Sequence, residues 1–213
     1  MYAVIDIGSN TIRLVLYKLV DGEPRQMLNS KEAAGLAGYI DREQQLTPKG
    51  VQKAIDVLSR FRLILESVGP KEVFVFATAS LRNIINTQEV VSAIRDACGF
   101  DVQVLTGREE AVFDYYGALR TLDAPDGLMA DIGGGSTELV LFRDRAVTAA
   151  CSLPMGSLNL HTRFVRDIVP TAKELERIFQ YASGLLKTAQ FPTDAPASTA
   201  LCGVGGTCRA SCK

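Results

Sequence analysis

The order of apolar and polar residues divides the chain into short strand-like runs and longer stretches of helical period. YAVIDIG and TIRLVLYKL are apolar runs on either side of a polar turn, which predicts a hairpin, and DGEP supplies the next turn. From Ser30 to Gln45 the pattern fades into an extended or short-strand connection. Helical spacing follows. Thr47 can cap, Pro48 suits the first helical position, and Val51, Ala54, Ile55, Leu58 and Leu65 recur on one face until Gly69-Pro70 ends the run. EVFVFATA reads as a buried strand, residues 87–97 as a second helix, FDVQVLTG as a strand and residues 108–122 as a third helix.

The turn-rich DAPDG (residues 123–127) precedes a second copy of the opening pattern. DIGGGSTELVLF (131–142) lies over DIGSNTIRLVLY (6–17) without a gap at an offset of 125 residues. Such self-similarity predicts two related domains, 1–124 and 125–213, each opening with a hairpin. The second copy continues with the strand AVTAACSLP and a helix from Thr171. There T-A-K-E is a capping box, and Leu175, Ile178, Phe179, Ala182 and Leu185 share a face. After a QFPTDAPAS loop comes the strand STALCGVGG, then the opening of one more helix. Alternating strands and helices give an α/β fold with mixed sheets flanked by helices. The second domain has fewer helices than the first, so it is expected to be incomplete at its C-terminus, with a sheet face left uncovered that would favour a homodimer.

A net charge of −1 gives no global attraction to nucleic acid or to a membrane surface, so neither is an expected partner. No apolar run approaches the ~20 residues of a membrane span, and the N-terminus has no leader pattern, so the expected location is the cytoplasm. The odd set of cysteines, 98, 151, 202, 208 and 212, suits small buried thiols better than a disulfide framework. C-x5-C-x3-C is too loose for an ordinary zinc site. His161 reads as a surface or packing residue.

An anionic ligand must therefore be held locally. Glycine at a hairpin tip lets backbone N–H groups approach an anion closely. Gly133, Gly134 and Gly135 offer that, with Ser136 and Thr137 adding hydroxyls; Ser9, Asn10 and Thr11 offer side-chain donors in the first copy. Asp6 and Asp131 end the preceding strands, and a carboxylate there can hold Mg²⁺, which bridges to phosphate. Two such hairpins across a cleft would hold consecutive phosphates. No G-x-x-x-x-G-K-[ST] is present, and GVGGTC lacks the last glycine of the dinucleotide fingerprint and follows a late strand.

DIGSNTIR, DIGGGSTELV and GVGGT together resemble the superfamily of sugar kinases, heat-shock ATPases and actin, whose domains are actin-like (ribonuclease H-like). ATASLRNIIN (77–86) and TGREEAVFDYYG (106–117) resemble, within it, the A-T-x-x-x-R-x-x-x-N and G-x-E-E-A segments of the exopolyphosphatase/guanosine-pentaphosphate phosphohydrolase family. The resemblance implies Mg²⁺-dependent hydrolysis of terminal phosphoanhydrides, with polyphosphate or guanosine penta- or tetraphosphate as partner. It implies Glu110 as base for the attacking water and Arg82 at the phosphates, with Arg13 nearby. Asp131 and Glu138 become metal or water-positioning carboxylates; Gly205, Gly206 and Thr207 would stand on the far side of the cleft, and Gly156-Ser157 match a further family turn. Glu109 is expected to be structural. Two other readings remain: a binding module that does not turn its ligand over, and a kinase of the same superfamily, against which the E-E-A and A-T-x-x-x-R segments speak.

Overall fold

The computed structural model describes residues 1–189, 191–192 and 200–211; most of the QFPTDAPAS stretch and Cys212 lie outside them. The chain folds as two compact units, Met1–Leu105 and Thr106–Lys213. This division falls before the DAPDG turn where the sequence suggested a boundary, because the helix that precedes DAPDG packs on the second sheet.

The first unit is a five-stranded mixed sheet. Its strands are β1 (Tyr2–Ile7), β2 (Thr11–Val20), β3 (Glu23–Ala33), β4 (Glu72–Ala77) and β5 (Gln103–Val104), in the order β3-β2-β1-β4-β5. Strands β1 to β3 are antiparallel, and β4 runs parallel to β1. Helix α1 (Pro48–Val68) begins where Thr47 accepts from the Gly50 amide and ends at Gly69, which is left-handed at φ 61°. A short helix α2 (Ala79–Arg82) and α3 (Thr87–Cys98) complete the unit. Alternation puts Ala3, Ile5, Ile7, Ile12, Leu14 and Leu16 on one sheet face, where they pack with Val57, Leu58, Phe61 and Ile94 of the helices.

Two expectations change here. Strand β3 occupies part of the stretch read as a connection; it is a sheet edge with mostly exposed residues, so it has no hydrophobic pattern and exists through its pairing with β2. EVFVFATA is buried on one face only: Val75 and Ala77 are buried, while Phe74 is 38% exposed and stacks on Phe76 with ring centroids 6.4 Å apart.

In the second unit α4 (Gly107–Ala118) precedes β6 (Gly127–Ile132), β7 (Thr137–Arg143), β8 (Ala146–Leu153), α5 (Ser157–Phe164), α6 (Ala172–Thr188), β9 (Ala200–Val204) and α7 (Gly205–Ser211). The sheet order is β8-β7-β6-β9, with β9 parallel to β6. Ala111 and Tyr115 of α4 pack on Met129, Val140 and Phe142, and the Tyr115 and Phe142 rings lie 5.0 Å apart. Arg145 donates to the carbonyls of Leu119 (2.9 Å) and Leu122 (3.2 Å), closing the end of α4. Helix α5 was not anticipated. The Thr171 capping box of α6 forms, but the face expected to enter a core does not: Leu175 and Phe179 are 53% and 73% exposed. Instead α6 meets α5 through Phe164 and Tyr181, 5.3 Å apart, with the Arg163 guanidinium 4.4 Å from the Tyr181 ring. Among the described residues no helix is long and apolar enough to cross a membrane.

The two units repeat one another in detail. β1–β2 pairs Asp6 with Arg13 and Ile7 with Ile12; β6–β7 pairs Asp131 with Glu138 and Ile132 with Thr137, the same register at the 125-residue offset. The second and third strands slip register at Leu16/Tyr17 in one unit and Leu141/Phe142 in the other, again equivalent positions. Those strands are joined by two-residue left-handed turns, Asp21-Gly22 (φ 54° and 80°) and Asp144-Arg145 (φ 49° and 60°), the geometry that fits the twist of a hairpin.

Candidate active site

Each hairpin tip is closed by one backbone bond: Gly8 N donates to Thr11 O, and Gly133 N to Ser136 O, both at 3.0 Å. The remaining tip carbonyls are taken up by the segment that follows the third strand. In the first unit Asn10 O accepts from the amides of Ala34 (3.0 Å) and Gly35 (2.8 Å), and Ser9 O from Ala37 (2.9 Å). In the second, Gly133 O accepts from Ser157 N (2.9 Å), and Gly134 O from the amides of Leu158 (2.9 Å) and Asn159 (3.1 Å). The orphan N–H groups of the first turn of α5 are satisfied in this way. What stays without an acceptor among the described residues is the amides of Ser9 and Asn10, and of Gly134, Gly135 and Ser136. Backbone N–H groups at a glycine-rich tip form the concavity that binds anions.

The carboxylates differ between the tips. Asp6 is exposed and stands opposite Arg13 in register. Asp131 stands opposite Glu138, and Glu138 is only 2% exposed; its Oε1 accepts from the Ser152 hydroxyl at 2.7 Å. Burial raises the Asp131 pKa above the usual aspartate value, with Arg209 pulling it back in part. Gly205, at φ +83°, lies against this carboxylate, and a Cβ there would meet the Asp131 Oδ1 at 2.2 Å. Like charges facing each other across a strand pair destabilise it unless a proton or a nearby positive group offsets them, and Arg209 acts on Asp131 in that sense. Two carboxylates fit Mg²⁺, which is commonly held by one or two of them and completes its shell with water and phosphate. Among the described residues no group of three or more metal-ligating side chains occurs.

The other candidate residues fall into two sets. Thr137 Oγ1 donates to Met155 O at 2.6 Å, Ser157 Oγ to Gly133 O at 3.2 Å, and Thr207 Oγ1 lies 3.5 Å from Ser157 Oγ, so these side chains converge on the second tip. Gly156 sits so close to that tip that a Cβ would be 2.5 Å from the Gly134 carbonyl carbon and oxygen. Ser136 is buried beside them, and Gly206 is exposed in the first turn of α7. In the first unit, Thr11 starts β2, the Ser80 hydroxyl donates to Ile7 O at the hairpin, and Arg82 donates to Leu105 O at 3.2 Å. Asn86 clamps both backbone groups of Leu46, at 3.0 and 3.1 Å, so the A-T-x-x-x-R-x-x-x-N segment has a bracing function of its own.

Glu109 and Glu110 begin α4. The Glu109 carboxylate closes a capping box with Thr106, accepting from its amide and hydroxyl at 2.8 Å each, and these bonds lower its pKa. Glu110 is half-buried and takes no part in that box. Sequence reasoning missed Asn159 and Ser152. The spacing Gly156-x-x-Asn159 at a helix start is the one signal that pointed to the former.

A duplicated α/β protein with a glycine-bearing hairpin opening each half is of the actin-like class. The chain matches the Ppx/GppA phosphatase family over residues 15–211 and belongs to that family. It is 30% identical over 187 residues to the guanosine-5′-triphosphate,3′-diphosphate pyrophosphatase of Vibrio atlanticus, an alignment covering 87% of this chain and 38% of that protein. An exopolyphosphatase from Cytophaga hutchinsonii superposes with a TM-score of 0.88 at 27% identity, covering 97% of this chain and 67% of that one. The Aquifex aeolicus Ppx/GppA member gives 0.76 at 28% identity, covering 97% and 66%. The chain thus spans well under half the length of the curated relative and about two thirds of the solved structures.

Proposed function

We propose that the chain carries the phosphate-holding and hydrolytic parts of an enzyme that releases terminal phosphate from inorganic polyphosphate or guanosine pentaphosphate. The observation that carries the reading is the second hairpin. Its Gly134 and Gly135 amides have no acceptor among the described residues and lie in the same turn as the Asp131–Glu138 pair. The relatives named as acting on such anhydrides support the reaction class.

The amides orient the phosphates and offset charge on their oxygens, which is most of what phosphoryl transfer asks of a protein, and the motif resemblance assigns Arg82 a phosphate contact as well. Glu109 is committed to its cap, and the resemblance of the G-x-E-E-A segment assigns the base to its neighbour Glu110, which takes a proton from the attacking water. Asp131 and Glu138 would hold Mg²⁺, which supplies charge neutralisation at the phosphate oxygens when bound. Asp6 has Arg13 opposite it, so the cation is assigned to the second hairpin.

Phosphate release from medium-length polyphosphate in Mg²⁺ tests this, comparing the chain with Glu110→Gln. Loss of a general base costs about 10²–10⁴ in rate, and polyphosphate binding should survive the change. Release that persists in the variant removes Glu110 from its role. Binding without release by the parent chain supports a binding module instead.

A further inference from the structure

The Asn159 carboxamide bridges the start of α5 and the third glycine of the second hairpin. Its Oδ1 accepts from Gly156 N at 2.7 Å, and its Nδ2 donates to Gly135 O at 2.7 Å and approaches Pro154 O at 3.4 Å. The equivalent carbonyl in the first unit, Asn10 O, is held by two backbone amides, Ala34 and Gly35, with no side chain involved. A tip of three successive glycines has the greatest backbone freedom any sequence can have, and freezing it is entropically costly. A single side chain holds the last peptide of the more flexible loop in place.

We propose that Asn159 is a positioning residue for anion binding: by holding the Gly135 carbonyl back, it fixes the Gly135–Ser136 peptide and its Ser136 amide at the end of the tip. The Gly134 and Gly135 amides stand next to it, their own peptides held by α5 through the Gly133 and Gly134 carbonyls, so that the tip keeps the arrangement that receives phosphate. The inference rests on the proposed function above. No other residue type of this size provides both bonds, since an acceptor must face Gly156 N while a donor faces Gly135 O. Aspartate keeps the acceptor but sets a carboxylate oxygen against the Gly135 carbonyl, and adds negative charge next to the anion site.

The test uses the full chain as parent, Asn159→Ala and Asn159→Asp, with inorganic tripolyphosphate as the probe. Affinity is measured by calorimetry, and the order of the Gly133–Ser136 amides by ¹⁵N relaxation without ligand. Asn159→Ala should weaken binding about fivefold to tenfold, the net worth of one or two hydrogen bonds. Asn159→Asp should weaken it further, and the tip amides should gain mobility in both while amides of the first unit do not change. A residue that only supported the fold would lower the melting temperature without that order of affinities or that localised mobility. Equal affinity in all three proteins overturns the proposal. If the parent fails to bind tripolyphosphate, the functional reading fails. The brace is then judged on the relaxation data alone: unchanged order of the tip amides in Asn159→Ala overturns it, and increased mobility sustains it.

Discussion

The two hairpins share register, bulge position and turn type, yet they carry opposite electrostatics. Position for position, Asp6 faces Arg13 while Asp131 faces Glu138. The first sets unlike charges opposite each other in register at an exposed site. The second sets two carboxylates against each other, one of them almost fully buried. The tips differ in the same sense. Ser9 and Asn10 have side chains and are held by backbone bonds; Gly134 and Gly135 have none and depend on α5 and Asn159. A duplicated backbone therefore separates two requirements. The frame that positions a turn is common to both, whereas the residues on it decide which charges face each other and which groups hold the tip.

The comparison is broken most strongly at Gly156, where α5 meets the second tip. Gly156→Ala forces a Cβ into the Gly134 backbone, where no side chain can yield, so a loss of about 1–3 kcal/mol of stability is expected. Chemical denaturation reads it directly, and an unchanged midpoint would mean that α5 is not seated as described. A smaller effect belongs to Glu138→Gln, which keeps the shape of the side chain and removes one charge of the pair. Mg²⁺ affinity should fall at least about tenfold, because one of two anionic ligands is gone. Calorimetric Mg²⁺ titration checks this, and equal affinity would place the cation elsewhere.

The protonation of Asp131 sharpens the contrast further. Its pKa is raised in the folded protein, chiefly by burial, so the folded state binds the proton more tightly than the unfolded chain does. Stability from this group is therefore lost as pH rises from the unfolded value through the folded one. Asp131→Asn should raise the melting temperature at neutral pH in divalent-free buffer, and the gain should vanish below the ordinary value of 3.8, where the carboxyl is neutral in both states. The capping carboxylates Glu109 and Glu174 have the opposite sign: their pKa values are lowered, so their contribution is lost as pH falls. The smallest effect is expected on the other side of the comparison. Arg13→Glu gives the first hairpin the charge pattern of the second at an exposed site, with a cost of about 0.2–1 kcal/mol in thermal stability that salt reduces. A large loss there would show that the first hairpin is not self-sufficient.

The sequence by itself determined the elements whose signals are local. The paired hairpins were legible because their alternation and their 125-residue offset are written in consecutive residues. The ends of α1 were legible because Thr47, Pro48 and Gly69 act within one turn of the helix, and the Thr171 box for the same reason. Resemblance of motifs carried the family. Tertiary structure decided whatever depends on a distant partner. β3 exists because β2 offers an edge, although its own residues are polar and exposed. α4 joins the second unit because Ala111 and Tyr115 find Phe142 and Met129 there, a choice no periodicity encodes. The amphipathic stripe on α6 announced a buried face, but burial needs an opposing surface, and among the described residues Leu175 and Phe179 have none that covers them. The carboxyl of Glu138 and the carboxamide of Asn159 were ordinary polar side chains in the sequence. Pairing across β6–β7 and the docking of α5 gave them neighbours, and through those neighbours a charge to neutralise and a loop to hold.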